Sequence, residues 1–506
     1  MAPRGHSPAN SPQKSPPPSP LYARKQQTRL QRILSYPGVR ALLLCLLSFA
    51  AIIQFGRTHF YRDPGSIFFD ESRAYEKHYS AQRLEEALTF IERSQASAMS
   101  TDRKDKRGAV KPSDWIHAGP NPQMCASFIT IPRQADKQYI DVSPLQALLI
   151  FGQKSRPAHE QYPQTSIGSM LASLTPIERS DLEVKVLFAT RNESRHQTWN
   201  EPWVKYLVDQ AYTYRDVLSS EELSRISGLE ALKFDEHKGI LDYTLAMQHC
   251  YETSSAPYIA VFEDDIILAE GWFARTLLAL RDIEAKLTRR EETVPWQDLR
   301  LFSQERWTGW HDTTLGAHNE HWIALGLAAA VLGALLLVRR STHGARKHLD
   351  NWTLAVVCLV AIPGLVVLFF QAGKASVVPQ TRSVHRAMIG GGSHAMVLPR
   401  ERVPALVQYM RQREVGHYDR IMRDYAKKNK LARYAIHPVQ VQHVGPVSVH
   451  QQTGAKMEPI WSMAFESLRP ARLAKQHRRM VSKLYGDRDR ASAQDVKTMA
   501  IVKSQG

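Results

Sequence analysis

The stretch Tyr258–Leu268 has the sequence YIAVFEDDIIL and carries most of the information about the fold. Its first five residues are apolar and include β-branched and aromatic side chains, as in a buried β-strand. The acidic triplet Glu263-Asp264-Asp265 follows directly, and the apolar residues Ile266, Ile267 and Leu268 close the stretch. We therefore predict a buried strand over Tyr258–Phe262 that brings three carboxylates to its carboxyl end.

Segments on both sides of this strand show alternating strand and helix patterns. Short apolar runs predict further strands over Cys125–Ile131, Val184–Ala189, Leu299–Phe302 and the end of 390–398. Apolar spacing predicts helices over Val142–Phe151, Ser166–Leu174 and Lys238–Tyr251. Strands that alternate with helices imply an α/β fold.

Ligands of such sheets bind beyond the carboxyl ends of the strands, where the acidic triplet is expected to lie. Adjacent carboxylates repel one another unless a cation or hydrogen-bond donors compensate. Mn²⁺ or Mg²⁺ accepts carboxylate oxygens and bridges to the phosphate oxygens of a nucleotide diphosphate. A bound cation would act as a Lewis acid toward the departing diphosphate. The alternative is a solvated turn or a helix start.

Three apolar runs, Ala41–Phe55, Trp322–Val338 and Trp352–Ala372, predict membrane spans. The first 40 residues lack Asp and Glu, and the loop after the second run is basic. Both are therefore expected in the cytoplasm, with 57–321 and 373–506 in the lumen. The short first span suits a thin Golgi bilayer. The alternative is that one of the later runs is a buried core helix.

The formal net charge of +17 on 506 residues does not indicate a nucleic-acid partner. The excess lies in the basic tail, the loop between the later spans and the C-terminus, without a zinc-finger spacing or a compact recognition helix. Cys125 and Cys250 are both expected in the lumen, where they form either a disulfide or two buried thiols. Asn192-Glu193-Ser194 is a luminal glycosylation sequon, whereas Asn351 is expected on the cytoplasmic side.

From Lys238 through the acidic triplet to Gly271-Trp272, the chain resembles the GT-A glycosyltransferases and, more distantly, the N-acetylglucosaminyltransferase IV group. It is more similar to the Golgi post-GPI-attachment N-acetylgalactosaminyltransferase family. That family has one N-terminal anchor and a GT-A domain interrupted by a transmembrane helix pair. The resemblance covers roughly 125–461, and the inserted helix pair is its most specific element.

The resemblance implies an α/β, Rossmann-like GT-A domain that is split by the helix pair. Together with the composition and the apolar runs, it divides the chain into nine predicted parts. They are a disordered cytoplasmic tail (1–40), a transmembrane helix (41–56), a luminal stem (57–111), the first part of the GT-A domain (112–321), a second transmembrane helix (322–338), a cytoplasmic loop (339–351), a third transmembrane helix (352–372), the second part of the GT-A domain (373–461) and a basic tail (462–506). The implied reaction is metal-dependent and inverting, and it transfers N-acetylgalactosamine from UDP-GalNAc to the mannose of GPI-anchored proteins.

The site residues follow from the resemblance and from their positions beside predicted elements. The expected donor-binding residues are Arg133, Lys238, Glu263, Asp264, Asp265 and His443. Of these, Asp265 and His443 are the expected ligands of Mn²⁺ or Mg²⁺. The resemblance nominates Asp419, at the start of a helix over His417–Ala426, as the general base, and Glu305 is the second candidate.

Each of these residues also has a structural interpretation. Asp419 is equally compatible with a carboxylate that interacts with a helix dipole. A single histidine such as His443 is more often structural, and Lys238 and Arg133 are compatible with solvated charges. Two rival functions remain: a branching N-acetylglucosaminyltransferase of N-glycans, and a non-catalytic membrane lectin or scaffold.

Overall fold

The computed structural model of the chain describes residues 36–105, 117–132, 162–231, 235–303, 309–310, 316, 318–378, 380–387, 392, 394–413, 415–444 and 461–486. The chain divides into two compact units, each made of two segments. The helical unit comprises Met1–Gly56 and His311–Gln371, and the globular unit comprises Arg57–Trp310 and Ala372–Gly506.

The described strands are β1 (Met124–Thr130), β2 (Leu182–Phe188), β3 (Gln210–Thr213), β4 (Tyr258–Glu263), β5 (Ile266–Leu268), β6 (Trp296–Arg300), β7 (Val384–Arg386), β8 (Ala395–Pro399), β9 (Ala432–Ile436) and β10 (Val441–His443). The described helices are α1 (Pro37–His59), α2 (Glu71–Ala74), α3 (Tyr79–Asp105), α4 (Pro163–Leu171), α5 (Pro176–Ser180), α6 (Pro202–Leu207), α7 (Tyr214–Val217), α8 (Ser220–Ala231), α9 (Asp235–Thr253), α10 (Trp272–Thr288), α11 (Glu320–Ser341), α12 (Asn351–Ala355), α13 (Ile362–Gln371), α14 (Lys374–Val377), α15 (Val403–Arg413), α16 (Tyr418–Lys428) and α17 (Met463–Glu466). Residues 470–486 are also helical.

Among the described residues, one mixed sheet of eight strands organises the globular unit, in the order β3-β2-β1-β4-β8-β6-β9-β7. The strands β3, β2, β1 and β4 are parallel, and β8 pairs with β4 in the antiparallel direction. Because β8 follows the helical insertion and lies between β4 and β6, both flanks of the insertion build the same sheet. The α/β prediction is confirmed.

Apolar side chains cover both faces of this sheet, as expected for central strands that are buried on two sides. On one face, Phe128 stacks on Phe262 with ring centroids 5.1 Å apart, and Trp272 meets Phe262 edge-on. On the other face, a disulfide joins Cys125 of β1 to Cys250 of α9, with their Cα atoms 5.9 Å apart. The structure thus selects the disulfide over the alternative of two buried thiols.

The helix α3 lies within the segment that the sequence assigns to a stem, yet it packs into the globular unit. Ala87 and Ile91 are fully buried, and a Cβ atom on Gly168 of α4 would lie only 2.7 Å from the carbonyl oxygen of Ala87. Arg83 is also buried and donates hydrogen bonds to the carbonyls of Leu268 and Ser169. The helix α3 therefore forms part of the wall behind β5.

The described residues contain three stretches that are long and apolar enough to cross a membrane. They are Pro37–His59, Glu320–Ser341 and Asn351–Gln371, and they agree with the three predicted spans. The third stretch contains a π-helical segment over Val356–Ala361 between α12 and α13. The sequence expectations for the tail 1–35 and for a helix over Val142–Phe151 lie outside the described residues.

Most predicted elements of the globular unit agree with the structure to within a few residues. The strand β6 begins earlier than predicted, since it covers Trp296–Arg300, whereas the sequence predicted Leu299–Phe302. Its first residues were not recognised because Gln297 and Asp298 are polar, although both are fully buried. The short strand β7 carried no apolar signal and was not predicted.

Candidate active site

The acidic triplet lies at the sheet edge where the parallel strands end. Thr130 is the last residue of β1, and Glu263 is the last residue of β4. The antiparallel strand β8 begins at the same edge, because Ala395 pairs with Phe262. His394, just before β8, accepts a hydrogen bond at its carbonyl from the Glu263 N–H at 3.1 Å. Strand ends from both flanks of the helical insertion therefore meet here.

Asp264 is buried and points into the protein. Its Oδ2 accepts a hydrogen bond from the Thr130 hydroxyl at 2.7 Å, and Thr130 Oγ1 lies 3.0 Å from His196 Nε2. Since the single Thr130 proton goes to Asp264, His196 Nε2 must donate to Thr130. Its Nδ1 then accepts from Thr198, whose hydroxyl is 3.1 Å away. This chain of hydrogen bonds fixes the first aspartate in place.

The main chain of the triplet is fixed by Ser166 of α4. The Ser166 hydroxyl lies 2.5 Å from the carbonyl oxygen of Asp264 and 2.6 Å from that of Ile266, and it accepts a hydrogen bond from the Ile266 N–H. The turn between β4 and β5 is thus anchored to a helix that was predicted from its apolar spacing. Such anchoring holds the next side chain, Asp265, in a defined direction.

Asp265 faces a histidine from the other end of the globular unit's sequence. Its Oδ2 lies 3.1 Å from His443 Nε2, and both side chains are buried. The antiparallel pair β5–β10 produces this contact, since His443 pairs with Ile266 and the Val444 N–H donates to the Asp265 carbonyl at 2.9 Å. The structure therefore brings together the two residues that the sequence nominated as metal ligands.

His394 is a second buried histidine at this edge, and sequence reasoning did not single it out. Its ring lies edge-on to the His443 ring at 5.2 Å, and its Nε2 is 4.0 Å from Glu263 Oε2. Burial lowers the pKa of His394, although the negative charge of Glu263 opposes that shift. A neutral imidazole keeps a lone pair for a cation or a proton. The available signal was a histidine directly before a strand that starts at the acidic edge.

Glu263 is the more exposed member of the triplet and forms its outer wall. The Tyr243 hydroxyl donates to Glu263 Oε1 at 2.6 Å, and the Tyr243 ring stacks on Tyr418 with centroids 3.7 Å apart. Tyr418 is the first residue of α16, so this stack joins the helix start to the triplet. Burial raises the pKa of the Tyr418 hydroxyl well above its usual range, which keeps that group neutral.

Asp419, the predicted base, follows Tyr418 at the start of α16 and is half-buried. Its Oδ1 accepts a hydrogen bond from the Arg420 N–H at 2.8 Å, as a helix-start carboxylate does. The charge of Asp419 also acts on His394 and on Arg300. Asp419 is therefore within electrostatic reach of the triplet while it also interacts with its own helix.

Lys238 lies at the same sheet edge but interacts away from the triplet. Its Nζ donates to the carbonyl of Ala189, just beyond β2, at 3.1 Å and pairs with Asp242 Oδ2 at 3.2 Å. Asp242 also accepts a hydrogen bond from the hydroxyl of Tyr214. Within these contacts Lys238 has a structural role. Arg133 and Glu305 lie outside the described residues.

The donor set at the acidic edge fits a divalent cation that is shared with a ligand. Among the described residues, no group of three or more His, Cys, Asp and Glu side chains has the arrangement of a complete metal site. Asp265 and His443 nevertheless present a carboxylate and an imidazole to each other, which are oxygen and nitrogen donors that divalent metal ions accept in proteins. Cations that bind nucleotide phosphates take few protein ligands and complete their shell with phosphate and water oxygens.

The fold and this edge define an α/β protein with three apolar helices and a buried cluster of carboxylates and imidazoles beyond the strand ends. The sequence model of the family described as GPI-N-acetylgalactosamine transferase PGAP4 matches residues 217–442. The match supports the family resemblance recognised in the sequence. The matched segment contains the triplet, His394 and Asp419, and it ends one residue before His443. A comparison with curated proteins finds no match.

Proposed function

We propose that this chain transfers N-acetylgalactosamine from UDP-GalNAc to a mannose of GPI-anchored proteins, using a GT-A domain that is split by its transmembrane helix pair. The contact between Asp265 and His443 carries the proposal. These residues come from opposite flanks of the helical insertion, and they meet at 3.1 Å beyond the strand ends. The family match supports the transferase activity and the GPI acceptor.

In this proposal each residue of the acidic edge has its own task. Asp265 and His443 would hold Mn²⁺ or Mg²⁺, which would neutralise charge on the donor diphosphate. Glu263, positioned by Tyr243, faces the donor, whereas Asp264 keeps the turn rigid through Thr130. Such pre-positioning lowers the cost of aligning the reacting groups.

Asp419 is the proposed general base of a single inverting displacement. It accepts the proton of the acceptor hydroxyl as the acceptor oxygen bonds to the sugar carbon and the diphosphate leaves with the bonding electron pair. Arg300 lies within electrostatic reach of Asp419. Arg300 is itself paired with Asp298 at 3.6 Å, so the local charges are partly balanced.

The proposed location is the Golgi membrane, with a cytoplasmic N-terminus and a luminal globular unit. The Cys125–Cys250 disulfide supports the luminal assignment, because disulfides persist in oxidising compartments. The two remaining described cysteines, Cys45 and Cys358, are free and lie in the apolar helices.

The test uses the full-length protein in detergent with UDP-GalNAc or UDP-GlcNAc, Mn²⁺ and a synthetic acceptor that contains the GPI mannose core. Mass spectrometry should detect one added N-acetylhexosamine from UDP-GalNAc. The variant Asp265→Asn should lose about 10²-fold or more of this activity, whereas the exposed control Glu291→Gln should retain it.

Two other outcomes would replace the proposal. Preferred transfer from UDP-GlcNAc to an N-glycan acceptor would identify the branching transferase instead. Neither transfer nor donor hydrolysis with either nucleotide, together with unchanged GPI glycans in cells that lack the protein, would favour the non-catalytic lectin or scaffold.

A further inference from the structure

The three apolar helices enclose a groove of about 500 Å³ within the helical unit. Its lining is entirely apolar and includes Ile52 of α1, Ile323 and Leu327 of α11, and Val366 and Phe370 of α13. Val366 and Phe370 are buried, whereas Leu327 is 46% exposed. The groove is therefore closed on its inner side and open toward the surrounding lipid.

All of its lining residues lie near the helix ends that are predicted to face the lumen. Ile52 precedes the end of α1 by about two turns, or ~10 Å. Ile323 is in the first turn of α11, and Phe370 is in the last turn of α13. Trp322, beside Ile323, is 64% exposed, as is typical of aromatic residues at a membrane interface. With the proposed topology, the groove thus lies in the luminal leaflet.

Elsewhere the same helices are in close contact, so the groove ends where these contacts begin. A Cβ atom on Gly364 of α13 would clash with the Phe49 ring of α1. A Cβ atom on Gly38, at the start of α1, would lie 2.6 Å from the Cβ atom of Trp352. Close contact at small residues is the usual means by which membrane helices associate. Beyond Phe49, toward the carboxyl end of α1, the helices instead leave space between them.

We propose that this groove holds one acyl chain of the lipid-anchored acceptor. The inference rests on the proposed function, because that function places a lipid-bearing substrate in this leaflet. A lining without polar groups suits hydrocarbon and would leave any polar ligand without hydrogen bonds. Methylene groups are close in size to water, ~30 Å³ each, so the groove has room for on the order of 15 of them. That volume matches a single chain.

Holding the chain would fix the height and position of the acceptor glycan, which raises its effective concentration at the acidic edge. The gain in binding free energy comes from van der Waals packing, because the lipid tail moves from the apolar bilayer into a groove that is equally apolar. A moderate effect on KM is therefore expected, and kcat should remain unchanged once the acceptor is bound.

The test compares full-length variants with two acceptors, a GPI glycan that carries its acyl chains and the same glycan after enzymatic removal of the lipid. Leu327→Trp fills the groove, and Leu336→Trp is the matched control, since Leu336 is a lipid-exposed residue of α11 that does not line it. We expect Leu327→Trp to raise KM about fivefold for the lipid-bearing acceptor only. Equal effects on both acceptors, or an equal effect of Leu336→Trp, would overturn the inference.

A second measurement identifies the occupant directly. An acceptor with a photoreactive group in its acyl chain should label peptides that contain Phe369 and Phe370, and Leu327→Trp should reduce this labelling. Equal labelling by a phosphatidylcholine with the same photoreactive chain would show that bulk lipid fills the groove, which overturns the assignment to the acceptor. Absence of transfer by the wild-type protein to either acceptor would instead reject the proposed function.

Discussion

Asp264 and Asp265 are neighbours in the chain, but their side chains have different surroundings. Asp264 accepts the Thr130 hydroxyl inside the protein, whereas Asp265 faces His443. The sequence predicted that a triplet of carboxylates would lie at the strand end. The sequence could not assign a separate role to each carboxylate, because the direction of each side chain depends on partners that are distant in the sequence.

The different surroundings of the two aspartates predict that substitution of Asp264 lowers stability, whereas substitution of Asp265 lowers transfer activity. Asp264→Ala leaves the buried Thr130 hydroxyl without its acceptor and should lower the free energy of unfolding by about 1–3 kcal/mol. Asp265→Asn should leave the thermal midpoint nearly unchanged while transfer activity falls by about 10²-fold or more. Thermal unfolding and the transfer assay measure the two effects. Equal destabilisation by both substitutions would contradict these separate roles of Asp264 and Asp265.

His437, just beyond β9, predicts a pH dependence of stability. Burial, followed by the positive charges of His385 and Arg382, lowers the pKa of His437 to about 4. Between pH ~6.5 and pH about 4, the imidazole of His437 binds a proton in the unfolded chain but not in the folded protein. The contribution of neutral His437 to stability is therefore complete above pH ~6.5 and decreases as the pH falls below it. The thermal midpoint should therefore drop between pH 7 and pH 5.

The variant His437→Asn should reduce that drop by about 2 °C, because it removes one group that protonates only on unfolding. The exposed His78 provides the control, and His78→Asn should leave the slope unchanged. A steeper pH dependence in His437→Asn would show that the folded protein favours the charged imidazole, contrary to its surroundings.

At the scale of elements, the sequence predicted the positions of individual strands better than it predicted which strands pair with one another. The strands β4 and β8 are separated by more than a hundred residues and by two apolar helices, so their pairing leaves no local pattern. His394 was missed for the same reason, because only the antiparallel register of β8 brings it to the acidic triplet. The helix α3 was assigned to a stem because its surface is charged. One of its charged residues, Arg83, is in fact buried.

The docking of α3 predicts that Arg83 is essential for stability. Arg83→Leu removes the donors to two buried carbonyls, those of Leu268 and Ser169, and should lower the free energy of unfolding by about 2 kcal/mol or more. The exposed Arg93 on the same helix is the matched control, and Arg93→Leu should be nearly neutral. Thermal unfolding of the full-length proteins measures both. An unchanged free energy of unfolding in Arg83→Leu would show that this contact of α3 does not stabilise the globular unit, and it would support the predicted stem instead.

For the whole molecule, two glycosylation sequons report the sidedness of the membrane. Asn192 is exposed, and its Oδ1 accepts hydrogen bonds from the main chain and hydroxyl of Ser194 in a tight turn of the globular unit. In the sequence, the candidate span α11 separates Asn351, at the start of α12, from Asn192. With a luminal globular unit, only Asn192 is accessible to the glycosylation machinery.

We therefore expect one N-glycan on the protein from secretory-pathway membranes, visible as a glycosidase-sensitive mobility shift. Asn192→Gln should abolish the shift, and Asn351→Gln, the matched control, should leave it intact. Cys125 and Cys250 give an independent measure, because a luminal unit should keep their disulfide in intact cells. A glycan on Asn351, together with free thiols at Cys125 and Cys250, would place the acidic edge in the cytoplasm. That edge would then be on the wrong side of the membrane for a luminal GPI glycan.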